Sequence, residues 1–282
     1  MDIINTILVK EGNMLEARRE EYQSFKEGLP FLLYSDIKRS RVNYSKESNW
    51  HENLEIQLCT GGSGFVWLNG EKYEMADSDI VIANCDVIHY TGTDTDLTYS
   101  CLIISTEFCR NFGLDPKSIS FEPIIKSARV SGLFLQLQSV YMDRSAAYRL
   151  AKLNGMLLNL LIELAEHYGD RREETYADTA KSKIIKSVIS YIGERYNRKI
   201  TLGEIAGAVL YDKYALCREF KKYTGQTIID YLNRYRCFKA QELLGEGHSV
   251  AETADLCGFD NLSYFGKTFK RHVGHSPSRY KK

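Results

Sequence analysis

The 282-residue chain specifies an α+β protein in two parts: a front half of short antiparallel strands joined to a helix pair, and a back half that is all helix. Three observations point there. Short alternating runs separated by glycine turns fill residues 43–104, apolar residues take helical spacing over 131–168, and beyond 181 the pattern is helical throughout and partly repeats itself. A content of 44% hydrophobic and 26% charged residues, with four prolines, is that of a globular protein and excludes a disordered one. No apolar run approaches the ~18 residues of a membrane span, so neither a membrane protein nor a membrane partner is expected. Met1-Asp2-Ile3-Ile4-Asn5 lacks the basic-then-apolar start of a secretory leader. Seven cysteines without a C-x-x-C pair suit reduced thiols in a cytoplasm better than a disulfide frame or a zinc site.

The strands come first. Leu54-Glu55-Ile56-Gln57-Leu58 alternates apolar and polar residues, and Gly61-Gly62-Ser63-Gly64 follows as turn chemistry. Phe65 to Leu68 runs into Asn69-Gly70, the pair suited to a type I′ turn because both central residues need positive φ. Glu71 to Met75 is the return strand, and Ile80 to Ile82 and Leu97 to Ile104 are further strands, giving a small antiparallel barrel or sandwich over residues 1–125. Over residues 126–168, Leu133, Leu137, Val140 and Tyr141, then Leu150, Leu153, Leu157, Leu160, Leu161 and Leu164, mark two amphipathic helices. They either pack on the barrel or form the seam of a homodimer. Residues 169–180, rich in charge around Asp170-Arg171-Arg172-Glu173-Glu174, read as a linker to a domain at 181–282 that opens with Ile184, Ile185, Val188, Ile189 and Ile192.

The formal net charge of zero hides an asymmetry. Residues 1–180 carry 18 Lys+Arg against 27 Asp+Glu, and residues 181–282 carry 19 against 10. A hundred-residue block at +9 points to a polyanion partner. That block contains the repeat. Asp212-x3-Leu216-x3-Phe220-Lys221-x3-Gly225 returns as Asn261-x3-Phe265-x3-Phe269-Lys270-x3-Gly274. Each copy starts with an N-cap residue and ends with a glycine suited to a left-handed C-terminal cap. Upstream of each, Thr201 with Glu204 and Ser249 with Glu252 have capping-box spacing, and Ala206 and Ala254 let helices approach closely. A short capped helix, a tight turn and a second capped helix make a helix-turn-helix, here twice, joined by a helix from about Ile228 to Leu244.

With Leu216 and Phe220 buried, helical geometry turns Tyr214, Cys217, Arg218 and Lys221 outward, and with Phe265 and Phe269 buried, Ser263, Gly266, Lys267 and Lys270 face out. Leu262 is placed to join either face. Double-stranded DNA is the polyanion this fits. The expected base-reading set is Tyr214, Cys217, Arg218, Leu262, Ser263, Gly266 and Lys267, with Arg218 and Lys267 the donors to guanine. Lys213, Lys221, Lys222, Lys270 and Arg271 are expected on phosphates.

Residues 181–282 resemble the DNA-binding domain of the AraC/XylS transcription regulators. The stretch that carries the resemblance is Ala251-Glu252-Thr253-Ala254 through Gly258-Phe259-Asp260-Asn261-Leu262-Ser263-Tyr264-Phe265-x3-Phe269-Lys270-x3-Gly274-x-Ser276-Pro277-x2-Tyr280. The resemblance implies two recognition helices in successive major grooves and partnership with RNA polymerase, with activation favoured over repression. Thr253 departs from it, standing where the family has a larger apolar residue. Cys217, Leu262 and Gly266 offer few hydrogen bonds, which leaves part of the specificity to DNA shape.

In the acidic half, Asn49-Trp50-His51-x3-Glu55 and, downstream, His89 resemble the cupin pattern of His-x-His-x3-Glu followed by a later His, with Asn49 where the first His would stand. The resemblance implies a cupin-like barrel. His51, Glu55 and His89 can in principle hold Fe(II) or Zn(II), but a regulator needs binding rather than a Lewis acid, so a metal-free pocket with no cofactor is the expectation. Trp50, His51, Glu55, Trp67 and His89 are its expected lining, suited to a sugar effector, since rings cover C–H faces while His and Glu bind hydroxyls. Together these readings describe a ligand-responsive regulator, an activator of a carbohydrate-utilisation operon and not an enzyme. The alternative is a metal-dependent cupin enzyme with a helical appendage.

Overall fold

In the computed structural model the chain forms two compact units whose boundary falls between Ser182 and Lys183. The structure describes residues 28–40, 50–171 and 180–280; Asn49 and the expected linker residues 172–179 lie outside them.

The first unit runs β1 (Phe31–Ser40), β2 (Leu54–Leu68), β3 (Glu71–Ala76), β4 (Ile80–Ala83), β5 (His89–Gly92), β6 (Asp96–Ile104), α1 (Thr106–Asn111), β7 (Ile119–Phe121), β8 (Ile124–Ile125), α2 (Ala128–Met142), α3 (Arg149–His167) and β9 (Gly169–Arg171). Seven strands form one antiparallel sheet in the order β1-β6-β2-β4-β8, with β3 and β5 also paired to β2. The long β2 organises it. Its first part pairs with β4 and β6, and after a register shift between Cys59 and Gly61 its second part pairs with β3 and β5. Asn69 and Gly70 take φ of 47° and 86°, the type I′ geometry their identities call for.

Alternation along β2 divides its side chains between two cores. Leu54, Ile56 and Leu58 pack with Val130, Phe134, Leu137, Leu153, Leu157, Leu160, Leu161 and Leu164 of the helix pair. Cys59, Val66 and Leu68 join Met75, Val81, Leu97, Tyr99, Cys101 and Ile103 from both parts of the sheet, which close over a shared interior. The spacing that predicts the helix pair therefore records packing on the sheet. Leu150 departs from it and is 48% exposed. Gly169–Arg171, expected in the linker, instead pairs with Ile119–Phe121, so those residues complete a two-stranded sheet.

The all-helical part comprises α4 (Ala180–Arg195), α5 (Leu202–Ala208), α6 (Lys213–Thr224), α7 (Ile228–Gly245), α8 (Val250–Leu256), α9 (Leu262–Val273) and α10 (Pro277–Tyr280). Phe265, Phe269, Phe259 and Val273 pack on Cys237, Ala240 and Leu244 of α7 and on Ala254 of α8. Leu216 and Phe220 are equally buried, with the Phe220 ring edge-on to Tyr231 of α7 at 5.4 Å. One core position is imperfect. Thr253 is fully buried and its hydroxyl has no partner among the described residues. A buried, unbonded hydroxyl is destabilising, so Thr253→Val, which keeps the shape and removes the polar atom, is expected to raise stability by about 1 kcal/mol. Urea unfolding of the full chain checks this: the midpoint rises at unchanged slope.

All seven cysteines are free thiols, and burial pushes the Cys109 and Cys257 thiols up to about 12. Among the described residues no helix is long and apolar enough to cross a membrane.

Candidate nucleic-acid interface and sensor site

The two helix-turn-helix units are α5–α6 and α8–α9. Both capping boxes are made. Thr201 and Glu204 exchange side-chain and backbone bonds at 2.8 and 3.2 Å, and Ser249 and Glu252 do so at 3.4 and 3.2 Å. Asp212 accepts from the Tyr214 and Ala215 amides at the start of α6, and Asn261 accepts from the Tyr264 amide at the start of α9. Gly225 and Gly274 close the two helices with φ of 71° and 91°.

Burial of Leu216 and Phe220 on α6, and of Phe265 and Phe269 on α9, fixes which face of each second helix is free. On α6, Lys213, Tyr214, Arg218, Lys221 and Lys222 are exposed, Cys217 is half-buried, and the Lys213 ammonium lies 4.9 Å over the Tyr214 ring. On α9, Leu262, Ser263, Lys267, Lys270 and Arg271 are exposed and Gly266 is half-buried. Leu262, at 52% exposure, falls on the outer face rather than in the core. Arg271, expected on a phosphate, is ion-paired to Asp230 of α7, so a phosphate has to compete with that carboxylate.

The supporting contacts come from α7 and carry no sequence signal of their own. The Asn233 amide donates to the Tyr264 hydroxyl at 2.8 Å and holds α9. Arg236 is buried and donates to the carbonyls of Tyr196 and Arg198 at 2.8 and 2.7 Å, with its guanidinium 5.4 Å over the Phe259 ring.

In the first unit, His51, Glu55 and His89 converge inside the sheet. Glu55 points inward because it alternates with Leu54 and Ile56, and His89 is opposite Leu68 in the β2–β5 register. Glu55 Oε2 lies 3.0 Å from His51 Nε2 and 3.2 Å from His89 Nε2. The other ring nitrogens face backbone carbonyls, His51 Nδ1 that of Asn53 at 3.0 Å and His89 Nδ1 that of Val87 at 2.9 Å. Gln57 Nε2 donates to Glu55 Oε1 at 2.7 Å, and the Thr91 hydroxyl donates to Gln57 Oε1 at 2.8 Å. Burial opposes ionisation of Glu55, but the two imidazoles outweigh it and hold the carboxyl well below the usual range.

Trp67 is not part of this cluster. It pairs with Tyr90 while its neighbour Leu68 pairs with His89, which puts Trp67 on the opposite face of the sheet, stacked on Tyr90 at 6.0 Å. Trp50 is half-buried beside His51 in sequence. Gln57 and Thr91 were missed by motif reading, although Gln57 sits two residues from Glu55 on one strand, the spacing that shares a face.

Comparison with known proteins covers both units. A family model described as an AraC-like ligand binding domain matches residues 37–161, and one described as a helix-turn-helix domain matches residues 205–282. The chain is 26% identical over 275 residues to the HTH-type transcriptional regulator YdeC of Bacillus subtilis (strain 168), covering 90% of this chain and 92% of that one. It is 25% identical over 246 residues to the Msm operon regulatory protein of Streptococcus mutans serotype c, covering 85% and 87%. Among solved structures, the C-terminal domain of AraT, a response regulator from Geobacillus stearothermophilus, is 30% identical, covering 36% of this chain and 87% of that one at a TM-score of 0.35.

Proposed function

Because the chain is an AraC-family transcription regulator, a DNA-binding protein with its own ligand-binding domain, we propose that it acts in the cytoplasm as a homodimer, binds a sugar, and activates a carbohydrate-utilisation operon through RNA polymerase. The observation that carries the DNA-reading part is the pair of capped helix-turn-helix units, each of which turns lysine or arginine outward from a buried apolar face. Arg218 and Lys267 read bases, with Tyr214, Cys217, Leu262, Ser263 and Gly266 shaping the contact. Lys213, Lys221, Lys222, Lys270 and Arg271 hold phosphates. The exposed apolar side chains Leu135, Met142, Leu150 and Ile162 on α2 and α3 support self-association. A sensor interior with imidazole, carboxylate, amide and hydroxyl groups supports an effector rich in hydroxyls, and the match to an operon regulatory protein supports control of an operon.

The test uses the full chain on DNA sites selected from random sequence. Arg218→Ala and Lys267→Ala are each expected to weaken binding by about 1–3 kcal/mol and to relax sequence preference at one position. Lys270→Ala is expected to weaken all sequences alike and to lower the salt slope by about one. Wild-type affinity and preference in both Arg218→Ala and Lys267→Ala would remove the base-reading assignment. A thermal-shift screen tests the effector: a sugar raises the melting temperature, whereas a rise with fatty or aromatic acids alone replaces the sugar.

A further inference from the structure

We propose that Asp230 is an internal stand-in for a DNA phosphate: it holds Arg271 of the second reading helix in the DNA-free protein, and a backbone phosphate takes its place on binding. This rests on the DNA-reading assignment of α6 and α9 above and concerns how that contact is regulated. The two reading helices supply an internal comparison. Arg271 stands four residues after Lys267 on α9, and Lys222 stands four after Arg218 on α6, so each cation shares the helix face that carries the base reader. The repeat aligns the two, each directly after the lysine of a Phe-Lys pair. Lys222 is exposed and makes no ion pair among the described residues, whereas Arg271 is paired with Asp230 of α7. Both helices offer a cation at this place, and only the second has a carboxylate in front of it.

The start of α7 sets the carboxylate. The Thr227 hydroxyl donates to Asp230 Oδ2 at 3.0 Å and accepts from the Asp230 amide at 3.1 Å, which leaves Oδ1 for Arg271. A helix N-terminus also favours the ionised carboxylate. The next residue, Tyr231, is buried against the Phe220 ring of α6, so the first turn of α7 touches both readers. Arg271 Nη2 also lies 3.2 Å from His272 Nε2. Burial, with Arg271 and Arg234 beside it, pulls the His272 imidazole down to about 4, so the ring is neutral and Nε2 accepts. Carboxylate and imidazole together give the guanidinium two acceptors, as a phosphate would. The pair is weak enough to exchange: Arg271 and Asp230 are 62% and 43% exposed, and exposed pairs contribute little to stability. A duplex phosphate competes with the added drive of counterion release. The exchange costs affinity on every sequence alike, because phosphate contacts carry no sequence information.

The test is a double-mutant cycle in the full chain, read by fluorescence anisotropy on a duplex selected from random sequence and on an unrelated duplex, with urea unfolding to check that each variant is folded. Asp230→Asn is expected to bind both duplexes about two- to fivefold more tightly, the range of an exposed ion pair. In the Arg271→Ala background the same substitution is expected to change nothing. Asp230→Ser, whose hydroxyl is too short to reach Arg271, is expected to repeat the gain should the Asn amide still accept from Arg271. Glu246→Gln removes a carboxylate at the far end of α7, about 24 Å along the helix and beyond the screening length of about 10 Å, and is expected to leave affinity unchanged. Weaker binding in Asp230→Asn and Asp230→Ser would mean that Asp230 orients Arg271 for DNA rather than withholding it, and overturns the proposal. An equal gain with and without Arg271 also overturns it, since general repulsion then explains the effect. Either result leaves the DNA-reading assignment standing, whereas absence of DNA binding by the wild-type chain removes that assignment and the proposal together.

Discussion

Gly258→Ala is expected to cost the DNA-binding unit about 2–5 kcal/mol, a left-handed backbone strain of about 1–2 kcal/mol added to overpacking of about 1–3 kcal/mol. Gly258 sits in the turn of the second helix-turn-helix with φ of 74°. A Cβ there would lie 2.5 Å from the Tyr196 carbonyl oxygen, 2.8 Å from the Asn197 carbonyl carbon and 2.9 Å from the Arg198 nitrogen. All three are backbone atoms, so no side chain can swing aside and the loop after α4 has to move. The matching turn of the first unit makes the contrast. Leu210 holds the same left-handed region with φ of 52° but is 92% exposed, so its side chain bears strain without a clash. Urea unfolding followed by helical signal checks the effect, and loss of DNA binding in the cold-folded variant would accompany it. A change under about 1 kcal/mol would mean that the close approach is not real.

Arg236→Ala is the second large effect, expected at about 3 kcal/mol or more, since charge-assisted hydrogen bonds contribute about 1.5–3 kcal/mol each and both carbonyl partners lose their donor. The side chain reaches from α7 to the Tyr196 and Arg198 carbonyls, the loop that Gly258 packs against. The two substitutions therefore act on one junction, and their double mutant should be less destabilised than the sum of the singles. Arg236→Lys separates packing from hydrogen bonding: one ammonium cannot reproduce the planar two-carbonyl contact, so most of the loss should remain. Stability equal to wild type in Arg236→Lys would refute the bidentate role.

The helical half was legible because its signals are local. Caps, glycine stops and apolar residues three or four apart lie within single turns of helix, and the structure makes each of those bonds. What the sequence hid depends on residues far apart. Arg271 looks like a free cation until α7 brings Asp230 beside it. Trp67 looks like a neighbour of His89 until the register sets them on opposite faces. Gly169–Arg171 reads as linker because a three-residue strand has no periodicity to read, and only its partner Ile119–Phe121 defines it. The convergence of His51, Glu55 and His89 was suggested by spacing, but the contacts that orient the two rings come from the backbone carbonyls of Asn53 and Val87.

The pairing of β1 with β6 joins Phe31 to Ile104, and β2 reaches β6 from Glu55 to Ile103, so the sheet cannot form before a long stretch of chain has been gathered in. Non-local pairing of this kind is slow to nucleate, whereas capped helices joined by tight turns assemble quickly. After dilution from denaturant, the reader should regain its structure ahead of the sensor, leaving an interval in which the protein can grip DNA but cannot yet respond to its signal.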